Sequence, residues 1–581
     1  MTRRHLLQLA GASFASAAGI GGAPPLSVFD YSQVDLLDSP LRRQFDRNHA
    51  FFLKLSEDRM LKIYRQRVGL PAPGPDMGGW YDDFCPGAHF GQYVSALARF
   101  AGATNSEETR AKVRRLVRGF AETLDPAGKF FEDHRYPGYT YDKIVLGLLD
   151  AHAYAGDATA FDVLARMTRV ALPHMADHAL TPEEVQQRPH KDETYTWDET
   201  YTFAENLFLA YEKTGDRKYF DLARRYLLDR GFFDPLAEGQ NVLTGLHAYS
   251  HVNALGSGIQ GYLKLRDAKY FRAVKNATEM ILQDQSYATG GWGPNEAFIQ
   301  PGKGELGASI DSTHRHFESG CGSYAHFKLM RYLLTLTHDS RYGDSMERVL
   351  YNVALGILPI LEDGSTFYYS DYHPAARKSY LRIIPDATYR WDKDDHWPCC
   401  SGTFPQLTAD YGISSYFQGT DGVYVNLYVP SRLSFQQGAI LQETNYPTGS
   451  DVRLTVKVRK PQEFAIYLRI PAWAGRGTAI SINGRRVTEE LAPGFFPIRR
   501  QWKDGDRIEM ELDQTVRLEA VDAQTPDKVA LVRGPQVMFA MTAAQPKISR
   551  KQLAAGETNG VRLLPFGEIS GETYQTYWEV A

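Results

Sequence analysis

A chain of 581 residues exceeds what one hydrophobic core usually spans, and 43% apolar residues can fill two or more domains. Its formal net charge of −4, with no long run of either sign, leaves no electrostatic footprint for nucleic acid or an anionic membrane, so a neutral ligand is expected. Four cysteines in such a length exclude a disulfide scaffold.

The N-terminus pairs Arg3 and Arg4 ahead of a moderately apolar, Ala/Gly-rich stretch and the small-residue run Ala15-Ser16-Ala17. This order of features is similar to a twin-arginine signal over residues 1–25 and predicts a periplasmic or secreted protein that crosses the membrane already folded. Thiols could then take up metal in the reducing cytosol before export. No later segment has about 18 uninterrupted apolar residues, so no membrane span is expected. Residues 26–41 are short and β-tolerant, a candidate extra strand for a later β domain.

From about residue 88 to 360 the chain is a succession of helical patterns with short punctuation. Four segments, ending at Asp157, Asp216, Asp267 and Asp339, each close one amphipathic run and open another, with room for a pair of helices between them. In the first two, Gly156 and Gly215 suit a left-handed helix end and the following aspartate suits the next N-cap. Repeated helix pairs of this length predict a closed toroid of inner and outer helices, an (α/α)6 barrel over residues 26–420; an open solenoid is the alternative.

The helical half groups aromatic rings with carboxylates and imidazoles, at Trp80-Tyr81-Asp82-Asp83, Tyr195-Thr196-Trp197-Asp198-Glu199 and His247-Ala248-Tyr249-Ser250-His251. Sugars are held by ring faces against their C–H surfaces and by polar forks on their hydroxyls, so a toroid centre lined this way reads as a glycan pocket. Trp197, His247 and His251 are the substrate-binding candidates.

Cys399 and Cys400 stand side by side. Adjacent thiols rarely form a relaxed disulfide, but two thiolates can reach one soft metal ion. Upstream, Glu318-Ser319-Gly320-Cys321 opens a helix-like run and offers a carboxylate and a thiol within one turn. Glu318, Cys321, Cys399 and Cys400 would complete a tetrahedral Zn²⁺ site, whereas a lone cysteine is more often a small buried hydrophobe.

After about residue 420 the period changes to two. Val423 to Val429, Val452 to Val458 and Ile508 to Leu512 alternate as half-buried strands do, and Asn483-Gly484 and Asp504-Gly505-Asp506 are read as hairpin turns. Residues 421–581 are expected to form β-sandwich material.

These features together resemble the zinc-cysteine β-L-arabinofuranosidase family, glycoside hydrolase families 127 and 146. The resemblance runs through Gly87 to Ala98, Tyr141 to Asp150, Tyr287 to Phe298, Glu318 with Cys321, Cys399-Cys400, and Tyr467 to Trp473. It implies a retaining exo-glycosidase on a multidomain α plus β fold, an (α/α)6-barrel catalytic domain followed by β-sandwich domains. By motif position it implies Cys399 as nucleophile, Glu296 as general acid/base and Glu318, Cys321, Cys399 and Cys400 as zinc ligands. The implied substrate is an oligosaccharide or glycan carrying β-L-arabinofuranose or a related sugar. A zinc-stabilised, non-catalytic glycan-binding protein is the alternative. A hydrolase using metal-bound water is disfavoured, because four protein ligands leave no open position.

Overall fold

The computed structural model describes residues 24–181, 183–184, 199–380, 396–545 and 547–580; the twin-arginine motif and Trp197 lie outside the described residues. The helical half is built from pairs. In chain order these are α1 (Pro40–Lys54), α2 (Phe90–Thr104), α3 (Glu107–Glu122), α4 (Pro137–Ala155), α5 (Ala160–Ala171), α6 (Phe203–Thr214), α7 (Arg217–Arg225), α8 (Ala248–Leu265), α9 (Ala268–Asp284), α10 (Ser319–Thr337), α11 (Arg341–Asn352) and α12 (Cys399–Ala409). The even-numbered helices pack in sequence around a ring, and α12 meets α2, which closes it. The odd-numbered helices lie outside. The repeat is therefore a closed (α/α)6 barrel and not an open solenoid.

Burial explains the division. Outer helices such as α5 and α9 bury one stripe, while α2 is buried from Phe90 through Gly102 and α4 over nearly all its length. Close approach of the inner helices needs small residues: a Cβ added at Gly91 of α2 would fall 2.0 Å from the Lys143 carbonyl oxygen of α4. The punctuation recurs at each inner-to-outer turn. A left-handed residue ends the inner helix at Asn105, Gly156, Gly215, Arg266 and His338, and an oxygen of Ser106, Asp157, Asp216, Asp267 or Asp339 accepts a backbone N–H from the start of the outer helix or the residues leading into it.

The β half forms three sheets. A five-stranded sheet runs in the order 27–28, 416–418, 422–425, 462–470, 494–502, and a seven-stranded sheet runs 485–486, 479–482, 507–511, 451–457, 438–444, 431–435, 34–36. The segment 26–41 thus contributes a short strand to each. Asn483 (φ 50°) and Gly484 (φ 76°) make a hairpin turn. Asp504-Gly505-Asp506 does not: the strand before it pairs with 462–470 and the strand after it with 451–457, so the turn carries the chain from one sheet to the other. Turn chemistry reports a reversal, but not which strand receives the chain. A third sheet, from 516–520 to 578–579, packs against α11.

Arg469 ties sandwich to barrel. It is fully buried, donates Nε–H to the Asn426 carbonyl at 2.6 Å, and pairs with Glu347 at 2.6 Å and with Asp344, both on α11. Tyr446 and Trp473 also donate to Glu347, at 2.7 and 3.0 Å. Arg469→Met would leave two carboxylates at this junction without their cation. The expected cost is about 3–5 kcal/mol in urea denaturation, the range for breaking a buried pair from one side; a loss under about 1 kcal/mol would mean the carboxylates find other partners.

Candidate functional site

In a ring of alternating inner and outer helices, all inner helices point the same way. Their N-termini gather at one end of the barrel, where His89 precedes α2, Tyr136 precedes α4, Glu199 to Thr202 precede α6, His247 precedes α8, Glu318 precedes α10 and Pro398 precedes α12. Helix N-termini carry partial positive charge and unsatisfied N–H groups, so this end favours anions. Cys399 and Cys400, the first two residues of α12, stand in that field, as does the Glu318 carboxylate.

Glu318, Cys321, Cys399 and Cys400 are all buried, and one ligand atom from each lies within 4.8 Å of every other. The two residues between Glu318 and Cys321 are accommodated because Glu318 is the last residue of a two-residue strand and Cys321 lies in the first turn of α10. Gly320 between them is required by crowding, since a Cβ there would meet the Cys400 Cβ at 2.9 Å. Cys399 Sγ is 3.1 Å from Glu318 Oε1, Cys400 Sγ is 3.6 Å from Cys321 Sγ, and Thr403 donates its hydroxyl to Cys321 Sγ at 3.2 Å.

Burial pushes the thiols of Cys399 and Cys321 well above the usual range. Burial also opposes ionisation of Cys400, but hydrogen bonds from Cys321 and Cys399 outweigh it and lower Cys400 to about 6. Burial and the neighbouring Cys399 likewise raise Glu318, whose Oε2 accepts no hydrogen bond among the described residues. Three crowded thiols and an unsatisfied carboxylate oxygen, closed from water, fit a tetrahedral divalent cation that prefers sulfur, and zinc matches that donor set.

Glu296 stands beside this cluster. His247 Nε2 lies 3.5 Å from Glu296 Oε2 and 3.9 Å from Glu318 Oε2, bridging the carboxylate pair. Burial opposes charge on His247, yet the close Glu296 carboxylate, with those of Glu318 and Glu199, raises it to about 9. Tyr369 donates its hydroxyl to Glu296 Oε1, and Tyr368 donates to Glu318 Oε1 at 3.1 Å while standing 3.2 Å from Cys399 Sγ. Both tyrosines arrive on strand Tyr369–Ser370 or just before it, paired with Phe317–Glu318.

The sequence-predicted residues divide cleanly. Cys399, Cys400, Cys321, Glu318, Glu296 and His247 are brought together. His251 lies behind His247: its Nδ1 bonds the His247 carbonyl at 2.8 Å and its ring stacks on Tyr201 at 4.6 Å. Burial and the His247 charge hold it neutral, near 3. Spacing of four on a helix puts two histidines on one face but at different depths. Tyr368 and Tyr369 carry no local mark among 34 tyrosines, whereas Glu199, the carboxylate that closes the Tyr195-Thr196-Trp197-Asp198-Glu199 group, stands 3.9 Å from His247 Nδ1.

Comparison with known proteins follows this geometry. A family model described as the β-L-arabinofuranosidase GH127 catalytic domain matches residues 33–412, and one for the GH127 middle domain matches residues 422–514. A curated non-reducing end β-L-arabinofuranosidase from Bifidobacterium longum subsp. longum is 23% identical over 412 residues, covering 62% of this chain and 60% of its own length, so the match spans about three fifths of that relative. Among solved structures, a GH127 β-arabinofuranosidase shares the fold at TM-score 0.73 with 19% identity, covering 96% of this chain and 98% of its own. A GH127 β-L-arabinofuranosidase from Geobacillus stearothermophilus T6 does so at 0.69 with 20% identity, covering 94% and 100%.

Proposed function

The chain belongs to glycoside hydrolase family 127, and from that premise we propose that it is an exo-acting, retaining glycosidase releasing β-L-arabinofuranose or a related sugar from plant-type glycans. Cys399 is the nucleophile, Glu296 the general acid/base, and Glu318, Cys321, Cys399 and Cys400 hold Zn²⁺. The observation that carries this reading is the convergence of the buried Glu/Cys cluster with a second carboxylate, Glu296, through His247 and Tyr369. Bound zinc would keep the thiols ionised at neutral pH.

In the first step Cys399 Sγ bonds to the anomeric carbon as the glycosidic C–O bond breaks, and Glu296 gives its proton to the departing oxygen. Tyr369 and His247 then stabilise the carboxylate that forms. In the second step Glu296 takes a proton from water, the water oxygen attacks the anomeric carbon, and the Cys399 sulfur leaves; two inversions return the original configuration. The twin-arginine-like N-terminus supports export of the folded, metal-loaded protein.

A non-catalytic glycan binder would have no need of a proton donor beside the cluster, and Glu296→Gln separates the two. Hydrolysis should fall by about 10²–10⁴-fold, with the glycosylation step least affected for substrates with good leaving groups, which need little protonation. Equal loss of that step across leaving groups would assign Glu296 a structural role.

A further inference from the structure

Glu296 stands on a backbone that its own residues do not favour. Asn295 (φ 54°) and Glu296 (φ 64°) are consecutive non-glycine residues in the left-handed region, a conformation that persists only where the surroundings enforce it.

Just after the acid, the Phe298 N–H donates to the Leu246 carbonyl of the barrel at 3.1 Å, and further contacts on both flanks lead to one other part of the molecule. The turn before the acid, Tyr287 to Gly291, is anchored by the Ala288 N–H donating to the Tyr577 hydroxyl at 3.0 Å. The helix after it, Glu305–Ser312, is anchored by the Gly307 N–H donating to Asp522 Oδ2 at 2.6 Å and by Lys528 against Asp311 at 2.5 Å. The residues that follow this helix clasp the acid's neighbour: Thr313 donates its hydroxyl to Asn295 Oδ1 at 2.7 Å, and the Asn295 N–H donates to the Arg315 carbonyl at 2.7 Å.

A third line runs through Tyr574. Its N–H donates to the Ala376 carbonyl at 2.9 Å and its hydroxyl to the Asp371 carbonyl at 2.8 Å, just past the strand from which Tyr369 reaches Glu296. Tyr577, Asp522, Lys528 and Tyr574 all belong to the C-terminal β unit, beyond residue 514 where the middle-domain match ends.

We propose that the C-terminal β unit positions the acid/base, with Tyr577 and Asp522 as positioning residues that act through the loop carrying Glu296. The inference rests on the assignment of Glu296 made above. Hydrogen bonds on both flanks fix the loop, and a displacement near 1 Å at the carboxyl is enough to cost about 10²-fold in proton delivery. Anchoring of this kind should matter only where the leaving group needs the proton.

The test uses the full-length, zinc-loaded protein under single-turnover conditions, on aryl β-L-arabinofuranosides whose leaving groups range from dinitrophenol to unactivated phenols. Tyr577→Phe and Asp522→Ala should each lose roughly 10- to 100-fold on the poorest leaving groups and under about 3-fold on the dinitrophenyl substrate, with metal content unchanged. Asp522→Asn, which keeps an oxygen for the Gly307 N–H, should recover most of the loss. The two variants cut separate anchors, so a folding defect in one leaves the other to decide. Loss that is uniform across leaving groups, or no loss, overturns the inference even when Glu296→Gln shows its own leaving-group dependence. If Glu296→Gln is itself uniform, the acid/base assignment fails first and the inference falls with it.

Discussion

Cys399→Ala is expected to abolish turnover, lowering kcat by about 10⁴-fold or more, the scale seen when a covalent nucleophile is removed. The choice of Cys399 over Cys400 rests on what each sulfur faces. Cys400 is turned toward Cys321 and stands 4.0 Å from Glu318 Oε1. Cys399 stands beside Tyr368 and Glu318, which border His247, Glu296 and Tyr369. Of the two sulfurs, Cys399 is the nearer to Glu318, at 3.1 against 4.0 Å, and the one that stands 3.2 Å from Tyr368. Circular dichroism of the variant should match wild type, because removing one small side chain at the helix start leaves the α10–α12 contact in place. Activity within tenfold of wild type would exclude Cys399 as the nucleophile.

Removal of the metal should be nearly as severe. In the metal-free cluster burial pushes Cys399 well above the usual thiol range, so at neutral pH it is protonated. The sign follows: a thiol with a raised value becomes nucleophilic only as pH climbs toward that value, and the apoenzyme should stay inactive through the neutral range. Exhaustive chelation should lower activity by more than about 10³-fold, and one equivalent of Zn²⁺ per chain should restore it. Elemental analysis of the untreated protein should find about one zinc per chain, the stoichiometry of one four-ligand site. Full activity in protein shown to be metal-free would remove zinc from the account. Cys321→Ser should weaken metal retention and activity together, since Cys321 belongs to the four-residue cluster, with its Sγ 3.6 Å from that of Cys400.

The buried Glu/Cys cluster was legible because cysteine is rare in this chain and a vicinal pair has few structural uses. The barrel was legible because its punctuation is local: a left-handed residue followed by a capping oxygen recurs at Gly156-Asp157, Gly215-Asp216 and Arg266-Asp267. Tyr369 was not, since it meets Glu296 only because a two-residue strand pairs across fifty residues of chain, and nothing within either segment encodes that register. The same holds for the C-terminal anchors, where Tyr577 reaches Ala288 across 289 residues. Asp504-Gly505-Asp506 misled for the converse reason. The turn is real, but its partner strand is chosen by which inner face must be covered, a tertiary fact.

The central claim, that the Cys399 sulfur forms the covalent glycosyl intermediate, is tested most directly by tandem mass spectrometry of the zinc-loaded enzyme inactivated with an epoxide or haloacetamide analogue of β-L-arabinofuranose. Fragmentation between the two adjacent cysteines decides the position. The account predicts one label per chain, on Cys399, with protection by excess arabinose. A label on Cys400, Glu296 or Glu318 in place of Cys399 would contradict it.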